Sequence, residues 1–133
     1  MRRVSLFVIL SVLLVACGSS DLTFEDLGKT EWTLVAINSG DPVGGAAVTL
    51  NFFDDDLNGT TGCNVYNATY SMDGKSIEVS DMLVTQAFCE QPAGIMEQEQ
   101  TYMTILGEAT QILMEDGQLM LLTEDERFLL FDE

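Results

Sequence analysis

The stretch FDDDLNGTTGCNVY, Phe53 to Tyr66, joins an acidic run to a segment that contains two glycines and a cysteine. Asp54, Asp56 and Asn58 alternate and are followed by a glycine, as in the first half of an EF-hand calcium loop. The twelfth position of that loop needs a bidentate carboxylate, and Val65 stands there instead. The pattern therefore predicts a solvated turn between two strands, with Asp54, Asp56 and Asn58 as a weak calcium candidate.

Short apolar stretches on both sides of this turn predict strands, because they alternate in polarity or are rich in β-branched and aromatic residues. The predicted strands cover residues 31–37, 48–53, 64–70, 76–80, 82–88, 111–114, 119–122 and 128–131. Between the fifth and sixth of them, residues from Ile95 to Leu106 recur at helical spacing shortly after Pro92 and predict a helix. One helical turn is predicted within 22–28.

About eight short strands with one inserted helix predict a mainly β (α+β) fold. We expect a small antiparallel sheet that curls into a barrel-like domain, with the helix after the fifth strand covering one opening. The chain of 133 residues has room for one such domain and not for two.

The N-terminal segment MRRVSLFVILSVLLVAC has the organisation of an export signal. Two arginines precede an apolar run that is shorter than the roughly 20 residues needed to span a bilayer. Leu14 to Cys17 resembles the lipobox of bacterial lipoproteins, in which the signal is cleaved before a cysteine that carries the lipid. We expect a signal peptide over 1–16, lipidation of Cys17 and a lipidated tether over 17–26. An ordinary signal peptide with an incidental cysteine is the alternative.

Lipidation of Cys17 predicts that the membrane is a partner of this protein. Two or three acyl chains, at about 0.8 kcal/mol per buried CH₂, give lasting attachment where one chain does not. In Gram-negative lipoproteins, an aspartate directly after the lipidated cysteine retains the protein at the inner membrane. Gly18 occupies that position. We therefore expect a lipid-anchored protein of the bacterial cell envelope, with the outer membrane favoured.

The chain is strongly acidic, with 22 acidic residues, five basic residues, no histidine and a formal net charge of −17. This balance argues against nucleic acid as a partner, because phosphates are bound by Lys and Arg. It also disfavours binding of the protein surface to anionic lipid. A well-solvated surface is the simplest interpretation. A cationic protein partner is the alternative, since the charge would speed their encounter.

The sequence contains no recognisable catalytic constellation. Without histidine, neither a Ser-His nor a Cys-His pair can be built. Carboxylate pairs arise by chance among 22 acidic residues, and none is flanked by the aromatic residues of a glycosidase pocket. No glycine-rich phosphate-binding loop is present. We therefore predict a protein that is not an enzyme and that needs no cofactor.

Two cysteines, Cys63 and Cys89, remain once Cys17 is assigned to lipid. In an oxidising compartment we expect them to pair if their Cα atoms lie about 4.4–6.8 Å apart. Such a disulfide would contribute roughly 3.5 kcal/mol of stability on the chain-entropy model. Two buried free thiols are the alternative. A metal site is disfavoured, since the chain has neither histidine nor a third free cysteine.

Several motifs follow one another in a characteristic order along the chain. They are Trp32-x-Leu34, Val48-x-Leu50-x-Phe52, Leu57-x-Gly59-x-x-Gly62-Cys63-Asn64-x-Tyr66, Thr85-x-x-x-Cys89, Met96-x-x-Glu99-x-x-Tyr102-x-x-x-Leu106 and Gly117-x-Leu119-x-Leu121. In this order they resemble the META-domain family of HslJ-type envelope proteins, and we expect that domain over residues 27–132. The most specific part is the family's G-x-x-G-C-N-x-Y signature together with Thr-x-x-x-Cys and Glu-x-x-Tyr-x-x-x-Leu.

The resemblance implies a small β-barrel-like domain with one helix, in which Cys63 and Cys89 can pair. It brings no agreed catalytic residues, and it implies a link to stress or antibiotic tolerance in exported, often lipidated proteins. Its signature residues are expected to be structural: Trp32, Gly59, Gly62, Asn64, Tyr66, Thr85, Glu99 and Tyr102. We expect a non-enzymatic protein that supports envelope integrity or stress tolerance. The alternative is an acidic binding or inhibitory module that captures a cationic partner such as lysozyme.

Overall fold

The computed structural model describes residues 22–133, which form a closed eight-stranded antiparallel barrel with a helix after the fifth strand. The elements are α1 (Phe24–Leu27), β1 (Trp32–Ile37), β2 (Thr49–Phe53), β3 (Asp56–Thr60), β4 (Val65–Asp73), β5 (Ser76–Val84), α2 (Ile95–Glu108), β6 (Ala109–Glu115), β7 (Gln118–Thr123) and β8 (Phe128–Asp132). The predicted fold class is confirmed. The expected signal peptide over 1–16, Cys17 and the first part of the tether lie outside the described residues.

Strands that follow one another in sequence are neighbours around the barrel, and β1 closes it by pairing with β8. Side chains alternate between the interior and the outer face because the strand period is two. Trp32 begins β1 and is fully buried, and its indole N–H donates a hydrogen bond of 3.2 Å to the carbonyl oxygen of Leu27. This bond holds the end of α1 against the barrel.

The barrel is weakly closed between β5 and β6, which share the single register pair Ser76 with Gln111. The chain between these strands contains α2, which contacts β5, β7 and β8. Tyr102, Ile105 and Leu106 of α2 are fully buried and belong to the hydrophobic core. The helix therefore contributes part of the core that the strands share.

The turn predicted from Asp54 to Asn58 is wrong, because most of it is strand β3. The connection between β2 and β3 is the two-residue turn Asp54–Asp55, in which Asp54 has a φ of 41°. Leu57 is fully buried, and the residues on either side of it are exposed. The composition of this segment did not predict a strand, because Asp, Asn and Gly are all depleted in strands.

The two strands predicted over 76–80 and 82–88 form one strand, β5, which ends at Val84. The polar residue Asp81 indicated a break, but the structure accommodates it with a φ of 49° at a shift in the register with β4. Such a bulge inserts a residue into one strand without ending the pairing. The predicted number of strands was right because this merger offsets the addition of β3.

Replacing Leu57 by alanine tests the assignment of β3. We expect the free energy of unfolding to fall by about 2–5 kcal/mol, because a fully buried leucine is truncated. Leu83 is 68% exposed and gives a matched control, for which the change should stay within about 0.5 kcal/mol. Denaturant unfolding of the two variants measures both values. Equal, small losses would show that this segment is a solvated turn.

Candidate functional site

A polar cluster connects the loop after β3, the segment after β5 and helix α2, and its centre is the buried side chain of Asn64. The Asn64 Oδ1 atom accepts hydrogen bonds from the Thr85 hydroxyl and the Ala87 backbone N–H, both at 2.8 Å. The Asn64 Nδ2 group donates to the Ala87 carbonyl oxygen at 3.0 Å and to the Glu99 carboxylate at 2.9 Å. One amide therefore links three separate parts of the chain.

Glu99 differs from every other acidic residue in the described part of the chain, because it alone is not exposed. Its carboxylate accepts hydrogen bonds from Asn64 Nδ2 and from the hydroxyl of Thr61. The Thr61 hydroxyl in turn accepts a hydrogen bond of 2.9 Å from the Asn64 backbone N–H. A hydrogen bond to an ionised acceptor is stronger than a neutral one. The carboxylate therefore holds α2 against the loop after β3. We call Asn64, Thr61, Thr85, Ala87 and Glu99 the signature cluster.

Cys63 and Cys89 form a disulfide beside the signature cluster, with sulfur atoms 2.08 Å apart and Cα atoms 6.0 Å apart. The bond spans 26 positions and joins the loop after β3 to the segment after β5. Closing a loop of that length contributes about 3.5 kcal/mol on the chain-entropy model. The disulfide and the Asn64 amide thus connect the same two segments.

The two glycines of the signature are required for different reasons: Gly59 by close packing and Gly62 by its backbone conformation. A Cβ atom on Gly59 would overlap the carbonyl oxygen of Thr49 on β2. The Tyr66 hydroxyl, which donates to that same oxygen at 2.8 Å, lies 2.6 Å from the Tyr102 hydroxyl. Since Tyr66 has one proton to donate, Tyr102 is the donor to Tyr66. Gly62 has a φ of 92°, a conformation that side chains disfavour.

The structure distributes the predicted signature residues over three places. Asn64, Thr85 and Glu99 meet in the signature cluster, whereas Tyr66 and Tyr102 form the hydroxyl chain beside Gly59. Trp32, described above, lies apart from both groups at the start of β1. Thr49 and Thr61 were missed by the sequence analysis. Thr61 occupies an unspecified position of the G-x-x-G pattern, and no spacing distinguished either threonine.

The weak calcium candidate is divided between a turn and a strand face. Asp54 lies in the turn after β2, Asp56 begins β3, and the exposed Asn58 lies opposite Asn51 and Asn67 of the neighbouring strands. Within residues 22–133, no group of three or more His, Cys, Asp or Glu residues is placed to hold a metal ion.

A small antiparallel barrel with one long helix, stabilised by a disulfide and a part-buried Asn–Glu contact, is the class that this geometry defines. The profile of the META domain matches residues 25–133, and the protein belongs to the META-domain family. The resemblance noted from the motifs is therefore confirmed.

Solved structures show the same fold. A Burkholderia xenovorans protein determined by NMR is 24% identical, with a TM-score of 0.63 over 93% of this chain and 97% of its own. A second NMR structure is 19% identical, with a TM-score of 0.67 over 83% of this chain and 94% of its own. A DUF4847-family protein from Bacteroides vulgatus is 12% identical, with a TM-score of 0.60 over 82% and 95% of the respective chains.

Two further findings concern function. A search of curated protein sequences finds no match to this chain. Neither α1 nor α2, the helices of the part of the chain that the structure describes, is long and apolar enough to cross a membrane.

The three tyrosines provide a test of the hydroxyl chain at alkaline pH. Burial raises the pKa of Tyr66 and of Tyr102 well above the usual value of about 10, and burial and two nearby aspartates raise the pKa of Tyr70. Above pH 10 the folded protein thus holds protons that the unfolded chain releases. The stability that these groups contribute is complete below pH 10 and is lost as the pH rises further.

We therefore expect the native protein to develop little tyrosinate absorbance at a pH where the chain in denaturant is fully ionised. Its free energy of unfolding should fall over the same alkaline range. Ultraviolet absorbance and circular dichroism, recorded on the same samples, measure the two changes. Native tyrosines that ionise near pH 10 without unfolding would show that their hydroxyls are accessible to solvent.

Proposed function

We propose that this protein is a non-enzymatic, lipid-anchored META-domain protein of the bacterial cell envelope that supports envelope integrity under stress. The observation that carries the proposal is the order of two segments. The lipobox-like residues Leu14 to Cys17 stand a few positions before a META domain that begins at residue 25.

The signature cluster supports a structural role for the residues that characterise the family. Thr61 and Asn64 are almost completely buried, and each bonds to other members of the cluster. The carboxylate of Glu99 accepts hydrogen bonds on both oxygens and faces no histidine, since the chain has none. These contacts are those of a scaffold that fixes α2. The disulfide agrees with an exported protein, because disulfides persist in oxidising compartments.

The charge of the domain explains why a lipid anchor would be needed. Acidic side chains are exposed over the described surface, so anionic headgroups would repel the barrel. The chain between Cys17 and Phe24 can extend at most about 25 Å. Lipid on Cys17 would therefore hold the barrel close to the membrane surface that its charge disfavours.

Replacing Cys17 by alanine tests the anchor. Cells fed radioactive palmitate should label the natural chain, and the label should be absent from the Cys17→Ala protein because the acylated thiol is missing. The variant should also leave the membrane fraction once its apolar signal segment is removed, since a surface this acidic has no other attraction to lipid. Ser19→Ala is a matched control close to the same site and should keep both properties. Palmitate label that persists in the Cys17→Ala protein would overturn the anchor.

Capture of a cationic protein is the second candidate, favoured by the exposure of every described acidic side chain except Glu99. Lysozyme is a suitable probe because it is small and cationic. If the candidate is right, calorimetry should show saturable binding at low salt that weakens strongly near 0.5 M salt, where the Debye length falls to about 4 Å. A second cationic protein of similar charge is the control. Equal binding of both would show capture by charge without a preferred partner, and no binding at low salt would leave the charge a solvation role only.

A further inference from the structure

An uncharged groove crosses the outer face of the barrel over β2, β3, β4 and β5 and has a volume of about 570 Å³. None of the residues that line it is Asp, Glu, Lys or Arg. This is unexpected in a chain with 22 acidic residues, nearly all of whose described members are exposed. The lining of the groove therefore carries no charge, and it is suited to a neutral ligand.

Three asparagines form a row along this groove, and we call it the amide groove. Asn51 lies opposite Asn58, and Asn58 lies opposite Asn67, so their side chains are neighbours on one face of the sheet. The amides of Asn38 and Asn64 are hydrogen-bonded within the fold, whereas the three in the row have no hydrogen-bond partner among the described residues. Each offers two N–H donors and one carbonyl acceptor to a ligand.

Neither local conformation nor packing accounts for this row. Asparagine is depleted in strands and favoured in turns, yet all three residues lie within strands and pair across the sheet. Asn58 and Asn67 are exposed, so their amides are not needed to satisfy buried groups. Binding of a ligand that carries several hydrogen-bonding groups would account for three adjacent amides.

Aliphatic side chains lie beside the amides. Leu83, opposite Asn67, is 68% exposed, and Val65 is 59% exposed. Val84 also lines the groove and is 37% exposed. A ligand held by the groove lining would therefore contact amides and isolated apolar groups together. Two aspartates, Asp56 and Asp81, lie in an adjoining depression that shares Asn58, Asn67 and Leu83 with the groove.

Two other kinds of occupant fit these observations less well. An extended peptide commonly binds by adding a strand to a sheet edge, but β2, β3 and β4 are paired with neighbours on both sides, and helix α2 packs against β5, which shares a single register pair with β6. A second copy of the chain would bring two net charges of −17 together. The cores of such interfaces are enriched in aromatic residues, Met and Arg and not in asparagine.

We propose that the amide groove binds a neutral oligosaccharide that carries N-acetyl groups. Its hydroxyls and acetamide N–H and C=O groups complement the Asn51, Asn58 and Asn67 amides, and its methyl groups contact Val65 and Leu83. The inference goes beyond the proposed envelope role and rests on the groove alone. A failure of lipidation at Cys17 would leave it intact.

Titration of the purified full chain in detergent with N-acetylglucosamine tetramer tests the proposal. Calorimetry should give saturable binding with a Kd on the order of 1 mM or tighter, and NMR shifts should map to β2–β5. Asn58→Ala and Asn67→Ala should each weaken binding about tenfold, whereas Gln100→Ala on the exposed side of α2 should leave it unchanged. Both asparagines are exposed, so the variants should keep the native spectrum.

Four results would overturn the proposal. The first is the absence of groove shifts at saturating sugar, and the second is binding that both asparagine variants retain. The third is equal binding of maltotetraose, which is neutral but lacks acetamide groups. The fourth is a shift of the same NMR signals with protein concentration in the absence of sugar, which would assign the groove to a second copy of the chain.

Discussion

The hydrogen bonds of the Asn64 side chain are the interaction on which this domain depends. They connect the loop after β3 with Thr85, Ala87 and Glu99, which lie far from it in sequence. Without this amide, the Glu99 carboxylate and the Ala87 backbone would lose partners in a part-buried setting, and each lost hydrogen bond costs about 0.5–1.5 kcal/mol. The adjacent disulfide keeps the segments together but satisfies none of these polar atoms. The cysteine and the asparagine of the signature therefore have different roles.

Helix α2 is attached to the barrel at two successive points on one face. Glu99 bonds to the loop after β3, and Tyr102, three residues later, reaches Tyr66 through its hydroxyl. The second contact depends on Gly59, because any side chain there would displace the Thr49 carbonyl that accepts the Tyr66 proton. The Glu-x-x-Tyr spacing on the helix and the Gly and Tyr of the signature thus describe one set of contacts.

Local periodicity in the sequence predicts the elements correctly, whereas composition misleads where tertiary pairing overrides it. The helix and the final three strands follow from their patterns, but β3 was obscured by polar residues that surround the single buried Leu57. Family motifs located most of the signature cluster. Thr61 was missed because only the folded loop brings its hydroxyl to Glu99. The row formed by Asn51, Asn58 and Asn67 was missed because strand register alone makes them neighbours.

The signature cluster and the amide groove share a boundary. Residues that stabilise the fold therefore also adjoin the proposed binding surface. Thr85 lines the groove, donates its hydroxyl proton to the Asn64 amide and accepts a hydrogen bond of 3.1 Å from the Val65 N–H. Val65 is also part of the groove wall. The contacts that hold α2 thus also fix the position of one end of the groove. Because a preorganised surface loses less entropy on binding, a rigid cluster beneath this rim favours binding of a ligand in the proposed groove.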